Sequence, residues 1–406
     1  MDDVILAPQH LRADPDKQVA RHASHYALRR RTLDRMRSKT TDLDAKPMLI
    51  DPSVYTDPDY FRREKRAIFL EMPVVAGLSR DIAEPGDMMT FDVLGPSILI
   101  VRTKSREVKA FLNMCPHRGA KVVTECSRRT RMTCRFHGWT FDLEGKLIGQ
   151  PGKEGFEGID KDERGLVPVP VAEKYGLIVV RATANGDPVD VDAYLGDFAG
   201  EIAHLELEKA TPIASSTIPA EANWKYALDT YGESYHFATL HPQTIGQLAY
   251  SNMMIYDNYG LHARLAFPRA EFMDYADKDE AEWPHTFYGG LYMLFPNMII
   301  NVNSIIGVGQ FYGVSRVFPA ETVDRSTTLM TTYQPAHAGE SVDIQKWQEM
   351  HAFIDRVVTT EDYSVSREGQ QNLTYAPAGF KTVLGRNEIA LQHWHRNLNR
   401  LMAGRN

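Results

Sequence analysis

The sequence predicts an α+β protein, in which groups of short strands are separated and followed by helices. Between residues 97 and 180, β-rich runs alternate with glycine, proline and charged turns: Ser97–Val101, Val108–Leu112, Leu166–Val171 and Leu177–Val180. Strand patterns return over 293–303, 310–317 and 326–333. Apolar residues then recur at helical spacing from Ile344 to Val358, and a last helix is predicted over 387–402. With 406 residues, the chain is long enough for about two or three domains.

Two helical segments precede the first strands. Asp57 is a suitable N-cap for a predicted helix over Pro58–Leu70. Residues 21–39 contain seven basic residues against one acid, Asp34. A basic amphipathic helix can contact a membrane or an acidic partner, but we favour an arm that is solvated or wraps a neighbouring subunit.

Composition excludes several classes of protein. Apolar residues make up 43% and charged residues 24%, as in soluble globular proteins, and the net charge of −7 gives no reason to expect nucleic acid. Three cysteines cannot build a disulfide framework, which favours a reducing compartment. The first residues lack a secretory signal, and the longest apolar run, 291–300, is interrupted by Pro296 and Asn297. We therefore expect a cytoplasmic protein without membrane or nucleic-acid partners.

The most informative motif is Cys115-x-His117 followed, after sixteen intervening residues, by Cys134-x-x-His137. Two thiolates and two imidazoles in this order suit a Rieske-type [2Fe–2S] centre, where one iron takes both thiolates and the other both histidines. Structural zinc is the rival, but zinc sites separate paired ligands by two to four residues, not one. Cys126 has no partner, so we expect a small buried apolar residue there.

A second metal site is predicted further along the chain. His236 and His241 are five residues apart before Pro242, which suits one ligand on a helix and another at its end. Two imidazoles and one carboxylate form the facial triad of non-haem Fe(II) oxygenases. Asp362 is the best candidate for the carboxylate and Glu361 the alternative, although either could be a solvated helical acid.

Glu233 lies three residues before His236. If both lie on one helical face, this carboxylate can accept the second N–H of His236 and fix its tautomer. Facing the other way, it could accept a proton from an imidazole of the cluster.

The motifs resemble those of the terminal oxygenase (α subunit) of Rieske non-haem iron ring-hydroxylating oxygenases. The similar segments span nearly the whole chain: Tyr60-Phe61-x-x-Glu64, Gly86-Asp87, Ala110 to Ala120, Cys134 to Thr140, Asn223-Trp224-Lys225, Tyr235-His236 with His241, and Glu361-Asp362. The resemblance implies an all-β Rieske [2Fe–2S] domain and a catalytic domain with a large antiparallel sheet flanked by helices (helix-grip, START-like). It implies a helical extension over 1–71, packed on the catalytic domain or a neighbouring subunit, the Rieske domain over 72–187, and the mononuclear iron domain over 188–406.

The resemblance also implies roles for individual residues. Its cluster ligands correspond to Cys115, His117, Cys134 and His137, and its Fe(II) ligands to His236, His241 and Asp362. Such enzymes form rings of three catalytic subunits, either a homotrimer or α3β3. A carboxylate there links a cluster histidine, here His137, to an iron histidine of the neighbour. Many members have aspartate at that position. The glutamate found here, Glu233, resembles the residue of the branches that oxidise N-methyl or quaternary ammonium compounds.

The expected function is that of a terminal oxygenase, which uses O2 to hydroxylate or dihydroxylate an aromatic or related organic substrate. Electrons would come from NAD(P)H through a separate ferredoxin and/or flavin reductase. Gly307–Gly313 only faintly resembles a dinucleotide loop, since its spacing is wrong and it lies in strand-like sequence. The alternative is a Rieske monooxygenase for oxidative N- or O-demethylation, quaternary ammonium substrates included. A non-enzymatic Rieske electron carrier is a remote alternative.

The sequence says least about the substrate cavity. Aromatic and apolar groups in these segments are more often core, and two asparagines could orient a polar group of the substrate. The candidates for the cavity wall are Phe237, Leu240, Met253, Tyr256, Phe287, Tyr292, Leu294, Phe295, Asn297 and Asn301. The terminal His393-Trp394-His395 is expected to face solvent or a neighbouring subunit.

Metal content separates these functions. An oxygenase should hold about three irons per chain and a Rieske carrier about two. A zinc protein would be colourless, whereas the cluster should make the protein red-brown. Iron, sulfide and zinc analysis of anaerobically purified protein, with its visible spectrum, checks this prediction; two irons without a third would contradict the oxygenase.

Overall fold

The computed structural model of the chain describes residues 15–93, 95–283, 290–305, 309–336 and 343–403. The helices α1 to α10 are Pro15–Ser38, Ser53–Thr56, Pro58–Glu64, Val191–Leu195, Ala199–His204, Trp224–Asp229, Phe237–Leu240, Ile344–Val357, Tyr363–Thr374 and Ile389–Ala403. Strands β1 to β12 are Met48–Ile50, Val74–Leu78, Asp87–Phe91, Ile98–Arg102, Val108–Leu112, Ser127–Arg128, Met132–Thr133, Thr140–Phe141, Leu147–Gly149, Pro168–Val169, Val171–Lys174 and Leu177–Val180. Strands β13 to β20 are Thr211–Ala220, Ile255–Tyr259, His262–Ala266, Gly290–Leu294, Met298–Ile305, Gly309–Pro319, Ser326–Gln334 and Thr382–Leu384. No helix in these ranges is both long and apolar enough to cross a bilayer.

Three small antiparallel sheets form the cysteine-containing part of the chain. Their strand orders are β10-β5-β4-β3-β6, β11-β12-β2 and β7-β8-β9. The predicted strands over 97–101, 108–112 and 177–180 are confirmed as β4, β5 and β12. Within the strand predicted over 166–171, β10 takes up only Pro168–Val169. Pro170 has no N–H for the ladder, so β10 ends before it and β11 starts at Val171.

A seven-stranded antiparallel sheet, in the order β13-β19-β18-β17-β16-β15-β14, dominates the rest of the chain. The single strand predicted over 293–303 is wrong: β16 ends at Leu294 and β17 begins at Met298, so the chain turns at Pro296. Alternate residues of β16 face opposite sides of the sheet. Leu291 packs in the core shared with α6 and α10, while Tyr292 packs with α4 and α5.

The predicted helices are confirmed, with a local change of type at two points. Asp57 caps α3 by accepting from the backbone N–H groups of Asp59 and Tyr60. The helix then continues as a π-helical turn over Lys65–Leu70. In the same way α8 continues into a π-helical turn, Val358–Asp362, before α9.

The basic helix α1 lies against acidic residues of the same chain. Arg31 donates to the main-chain oxygen of Tyr256 at 2.9 Å and pairs with Asp42 at 3.0 Å, and Arg35 pairs with Asp42 at 2.6 Å. Near the middle of α1, Ser24 donates to Oε1 of Glu201 on α5 at 3.2 Å. Tyr259, on β14, donates to the same oxygen at 3.2 Å. The acidic groups that face this helix therefore include Asp42, just after its end, and Glu201 on α5.

The structure contradicts two expectations from the sequence about which residues are buried and which are exposed. Cys126 is exposed, because Val122 and Val123 before it take the buried positions of that connection. The segment 393–395 is buried: Trp394 donates to the main-chain oxygen of Pro296 at 2.9 Å, and His395 meets Asp229 at 3.0 Å. Helix α10 is enclosed on several sides, so its polar groups have internal partners instead of solvent.

We predict that Glu201→Gln destabilises the fold by about 3 kcal/mol at pH 7. Burial raises the pKa of Glu201, but His25 and Arg264 outweigh it and lower the pKa from 4.5 to about 2. A depressed carboxyl pKa stabilises the fold above about pH 4.5, and this contribution is lost as the pH falls towards 2. Urea unfolding at pH 7 and pH 3 measures the difference.

The matched control is Asp277→Asn, which removes the exposed ion pair with Arg37 on the same helix α1. An exposed pair contributes about 0–1 kcal/mol. Equal effects of the two substitutions, or a Glu201→Gln effect that does not shrink at pH 3, would contradict the role given to this buried carboxylate.

Candidate cluster and metal sites

Two loops of matching backbone geometry carry the first ligand set. The N–H of Gly119 donates to the Cys115 carbonyl, and that of Gly138 to the Cys134 carbonyl, both at 2.9 Å. Each loop closes with a second hydrogen bond of 2.8 Å. The N–H of Cys115 donates to the Ala120 carbonyl, and the N–H of Cys134 donates to the Trp139 carbonyl. Both glycines have positive φ, 77° and 73°, a conformation that favours glycine. The repeated turn therefore places one cysteine and one histidine at each loop.

The loops bring sulfurs and imidazoles to one point, with the sulfurs inside. Cys115 and Cys134 are buried. Burial raises the pKa of the Cys115 thiol, and the neighbouring Cys134 raises this pKa further. The rings of His117 and His137 lie 4.5 Å apart, and His117 stacks on Trp139 at 5.0 Å. The buried Nδ1 of His117 has no hydrogen-bond partner among the described residues. Two converging thiols and an imidazole nitrogen left without a partner fit a [2Fe–2S] cluster with mixed ligands.

Asn113 stabilises the first loop, a role that the sequence alone did not reveal. Its side chain accepts from the N–H groups of Val122 and Val123, at 3.0 and 3.1 Å, and donates to the Val123 oxygen at 2.7 Å. The only signal for it was its position two residues before Cys115.

The second ligand set comes from two separate elements. His236 and His241 are the N-cap and C-cap of the four-residue α7, and Asp362 ends the π-helical turn after α8. Oδ1 of Asp362 lies 3.5 Å from Nε2 of His236 and 3.2 Å from Nε2 of His241. The three ligand atoms all lie within 4.8 Å of one another. One metal ion can therefore contact all three.

The outer nitrogen of each imidazole faces a glutamate. Nδ1 of His236 is hydrogen-bonded to Glu233, and Nδ1 of His241 lies 2.6 Å from Glu361. Thr244 holds Glu361 by donating to it at 2.9 Å. Each carboxylate fixes the tautomer in which Nε2 is free to bind a metal. Glu361, the alternative third ligand, thus contacts the other side of His241.

Glu233 reaches His236 by a different route from the one predicted. Residues 230–236 form turns between α6 and α7, so Glu233 and His236 do not share a helical face. The carboxylate instead folds back onto its own turn and accepts the N–H groups of Tyr235 and His236. Glu233 is 8% exposed, while Tyr235 beside it is 61% exposed.

The charges at this point fit a divalent cation. Burial lowers the pKa of His236, but hydrogen bonds to Asp362 and Glu233 outweigh it and raise the pKa to about 9. The pKa of His241 is also raised, against burial, by Asp362 and Glu361. Burial raises the pKa of Asp362, yet the two imidazoles lower it overall. Three carboxylates around two imidazoles form an excess of negative charge, and the donor set is that of a non-haem Fe(II) site.

The metal-site residues open into a cavity of about 150 Å³. Its wall is mostly apolar, with one polar end. The lining residues are Thr230, Tyr231, His236, Phe237, His241, Ile245, Leu248, Ala249, Phe267, Arg269, Leu291, Asn301, Asn303, Ile354, Val357, Val358 and Asp362. Such a cavity suits a small organic molecule held by few polar contacts.

The structure places only part of the predicted cavity wall here. Phe237 and Asn301 line the cavity. Leu240 is half-buried on α7, and Phe287 lies outside the described residues. Met253 packs under α1, Tyr256 lies on β14, Tyr292 and Leu294 face the other side of the sheet, Phe295 packs in the main core, and Asn297 donates to the Val317 oxygen at 3.0 Å. Phe267, Arg269 and Asn303 were not predicted, because single residues after or within a strand carry no distinguishing pattern.

Comparison with known proteins identifies both parts of the chain. Residues 72–168 match the family model of the Rieske [2Fe-2S] domain, and residues 207–404 match that of the ring hydroxylating alpha subunit (catalytic domain). The carnitine monooxygenase oxygenase subunit of Escherichia coli (strain K12) is 30% identical over 284 residues, 68% of this chain and 71% of that protein. The benzene 1,2-dioxygenase subunit alpha of Pseudomonas putida is 31% identical over 199 residues, 47% of this chain and 43% of that protein.

The fold is also that of a solved structure. A quaternary ammonium Rieske monooxygenase in complex with L-carnitine superposes with a TM-score of 0.74 at 21% identity, covering 87% of this chain and 95% of that chain. The chain belongs to the Rieske non-haem iron oxygenases, as an oxygenase (α) subunit. It is therefore an enzyme of the family that uses a [2Fe–2S] cluster, a mononuclear iron, O2 and electrons from a reductase, and not a simple Rieske carrier.

We predict that Glu361→Gln lowers iron affinity about 10–100-fold, because an amide orients His241 less firmly than a carboxylate does. Asp362→Ala should abolish binding of the third iron, since it removes a ligand. Iron titration of the protein with its cluster intact measures both effects. The control is Glu368→Gln, an exposed acid on α9. If Glu361→Gln and the control bound iron equally tightly, the hydrogen bond between Glu361 and His241 would have no role in metal binding.

Proposed function

We propose that the chain is the oxygenase subunit of a monooxygenase that oxidises a carbon bonded to nitrogen in an N-methylated or quaternary ammonium compound. The observation that carries this proposal is the convergence of His236, His241 and Asp362 at the wall of a mostly apolar cavity. The carnitine monooxygenase relative, which this chain covers over 71% of its length, supports the choice of substrate class. Glu233 in place of aspartate is in keeping with the same branch.

The proposed reaction balances with O2, two electrons and two protons. One oxygen atom enters a C–H bond next to nitrogen, and the other leaves as water. The resulting carbinol on a quaternary nitrogen then loses an aldehyde and a proton, which breaks the C–N bond and leaves a tertiary amine. When bound, the cluster supplies single electrons and the Fe(II) supplies an O2-binding position beside the substrate.

The residues of the chain prepare the cavity for this reaction. Glu233 and Glu361 hold the two imidazoles by Nδ1, so that Nε2 of each faces Asp362. Leu291, Ile354 and Val358 exclude water from the wall. Tyr231, Phe237 and Phe267 contribute aromatic rings to the cavity wall, and aromatic rings attract an ammonium group.

Electron entry is proposed to occur between subunits. His137 is exposed, and beside it Phe136 and Met114 are 50% and 44% exposed, an apolar edge that suits a neighbouring subunit. Glu233 lies just beneath the exposed Tyr235, so a second chain could approach it there. We propose that Glu233 links His137 of one subunit to His236 of the next in a homotrimer or α3β3 ring. The domain boundaries, between residues 71 and 72 and between residues 187 and 188, are likewise predictions.

Aromatic ring hydroxylation, which is the function that the sequence motifs favour, is the second candidate function. The apolar majority of the cavity wall favours it, as does the likeness to benzene 1,2-dioxygenase. The two functions differ in product: ring oxidation gives a diol or phenol and releases no aldehyde.

We predict that N-methylated and quaternary ammonium compounds, supplied with a reductase and NAD(P)H, give an amine and an aldehyde in a 1:1 ratio to O2 consumed. His236→Ala and Asp362→Ala should lower this rate by at least about 100-fold, more than loss of an orienting partner does, while the cluster spectrum persists. Mass spectrometry of products and O2 uptake check it. Diol or phenol as the sole product from aromatic compounds would refute the N-oxidation proposal, and full activity in either variant would refute the iron site.

A further inference from the structure

A second groove lies where the strands of the Rieske domain meet the edge of the seven-stranded sheet. It has a volume of about 470 Å³ and shares no lining residue with the cavity at the metal ligands. One side comes from β2, β3 and the turn after β2, and the other side comes from β13, β18 and β19. A ligand in this groove would therefore contact both parts of the chain.

Arg316, on β18, places a buried positive charge at this groove. The residue lines the groove and is 8% exposed. Nη1 of its guanidinium donates to the Ala76 carbonyl on β2, while Nε is buried and has no hydrogen-bond partner among the described residues. In the same part of the chain, Arg316 takes part in no ion pair. Since a buried charge is costly without an opposite charge, this guanidinium lacks the partner that such groups normally have.

The one carboxylate that lines the groove among the described residues is already engaged. Oδ1 of Asp81 accepts from the Tyr333 hydroxyl at 2.8 Å, and Oδ2 accepts from the backbone N–H of Leu78 at 2.8 Å. Arg80, next to this acid, also lines the groove, is exposed and forms no ion pair with a described residue. Two guanidinium groups beside one engaged carboxylate give the groove a net positive charge.

A hydroxyl group lies on the same face of the sheet as the buried guanidinium. Arg316 pairs with Leu329 on β19, and Leu329 pairs with Thr217 on β13. Thr217 lines the groove, and its hydroxyl forms no hydrogen bond with a described residue. Neighbouring strands are about 4.8 Å apart, so the two polar side chains start about 10 Å from each other. This separation leaves room for a small ion between them.

We infer that this groove is a binding site for an oxyanion, the phosphate or carboxylate group of a small free molecule, with Arg316 as its main partner. A planar guanidinium binds such groups through paired N–H donors, and a hydroxyl can add a further donor. An anion bound there joins the Rieske domain to the sheet, so it stabilises their packing. The site is separate from the oxidation reaction and holds whichever substrate is oxidised.

Calorimetric titration of the anaerobic holoenzyme, with inorganic phosphate and with acetate, tests the site. Both titrations are made in Tris chloride at constant ionic strength. The wild type should bind a single anion per chain. In Arg316→Met the affinity should fall by at least about 30-fold, as expected when one partner of a buried charge contact is removed. The tighter of the two probes assigns the ligand group as phosphate or carboxylate.

The matched control is Arg164→Met, which removes the same charge from an exposed position outside the groove. It should bind the anion as the wild type does. Thermal unfolding gives an independent readout, because a ligand that binds only the native state raises the unfolding temperature. Phosphate or acetate should raise this temperature for the wild type and for the control, and should leave that of Arg316→Met unchanged.

Asp81→Asn should give an effect of the opposite sign. It removes the negative charge nearest the proposed ligand, so the anion should bind about 5-fold more tightly, as expected for like charges several ångströms apart in a partly solvated groove. General loosening of the groove would weaken binding in this variant instead. The measurement also decides the question if Arg316→Met fails to fold.

Three results would overturn the inference. If neither phosphate nor acetate binds the wild type beyond the effect of ionic strength, the groove holds no oxyanion. Equal binding by Arg316→Met and the control would place the anion elsewhere on the protein. If the wild type binds no anion and Arg316→Met dissociates an oligomer, the guanidinium pairs with a neighbouring subunit and not with a free molecule.

Discussion

Burial of the Asp362 carboxylate between two imidazoles is the constraint on which the catalytic part of the structure depends. An isolated buried carboxylate is costly, and it is tolerated only with a hydrogen-bonded or metal partner. Asp362 is 6% exposed and lies within 3.5 Å of both Nε2 atoms. The π-helical turn Val358–Asp362 and the four-residue α7 bring the three groups together from distant parts of the chain. Their shared orientation is explained by a cation that all three would bind.

The cluster-binding loops solve a similar problem with backbone geometry instead of charge. Both loops use the same pair of main-chain hydrogen bonds and a glycine with positive φ. The result is that the sulfurs of Cys115 and Cys134 are buried while His137 is exposed. An electron-accepting group with a protected interior and an accessible imidazole edge suits exchange with a partner protein or a neighbouring subunit.

The sequence predicted the ligands well and the cavity wall poorly, for physical reasons. Cys-x-His and Cys-x-x-His are local patterns, and their chemistry restricts the ligand choice. Asp362 and Glu361 could not be separated by spacing, because a π-helical turn shifts which neighbouring residue faces inward. The helical face proposed for Glu233 was wrong because α6 ends at Asp229 and residues 230–236 form turns. Pro296 splits one predicted strand into β16 and β17, so the residues facing the cavity depend on a register that the sequence pattern did not show.

Anomalous scattering at the iron edge, from crystals of the reconstituted protein, tests the central claim most directly. The account predicts two adjacent iron peaks between the Cys115 and Cys134 loops, and one separate peak within ligand distance of His236, His241 and Asp362. A peak displaced from those three side chains, or none there in protein that retains the paired peaks, would contradict it.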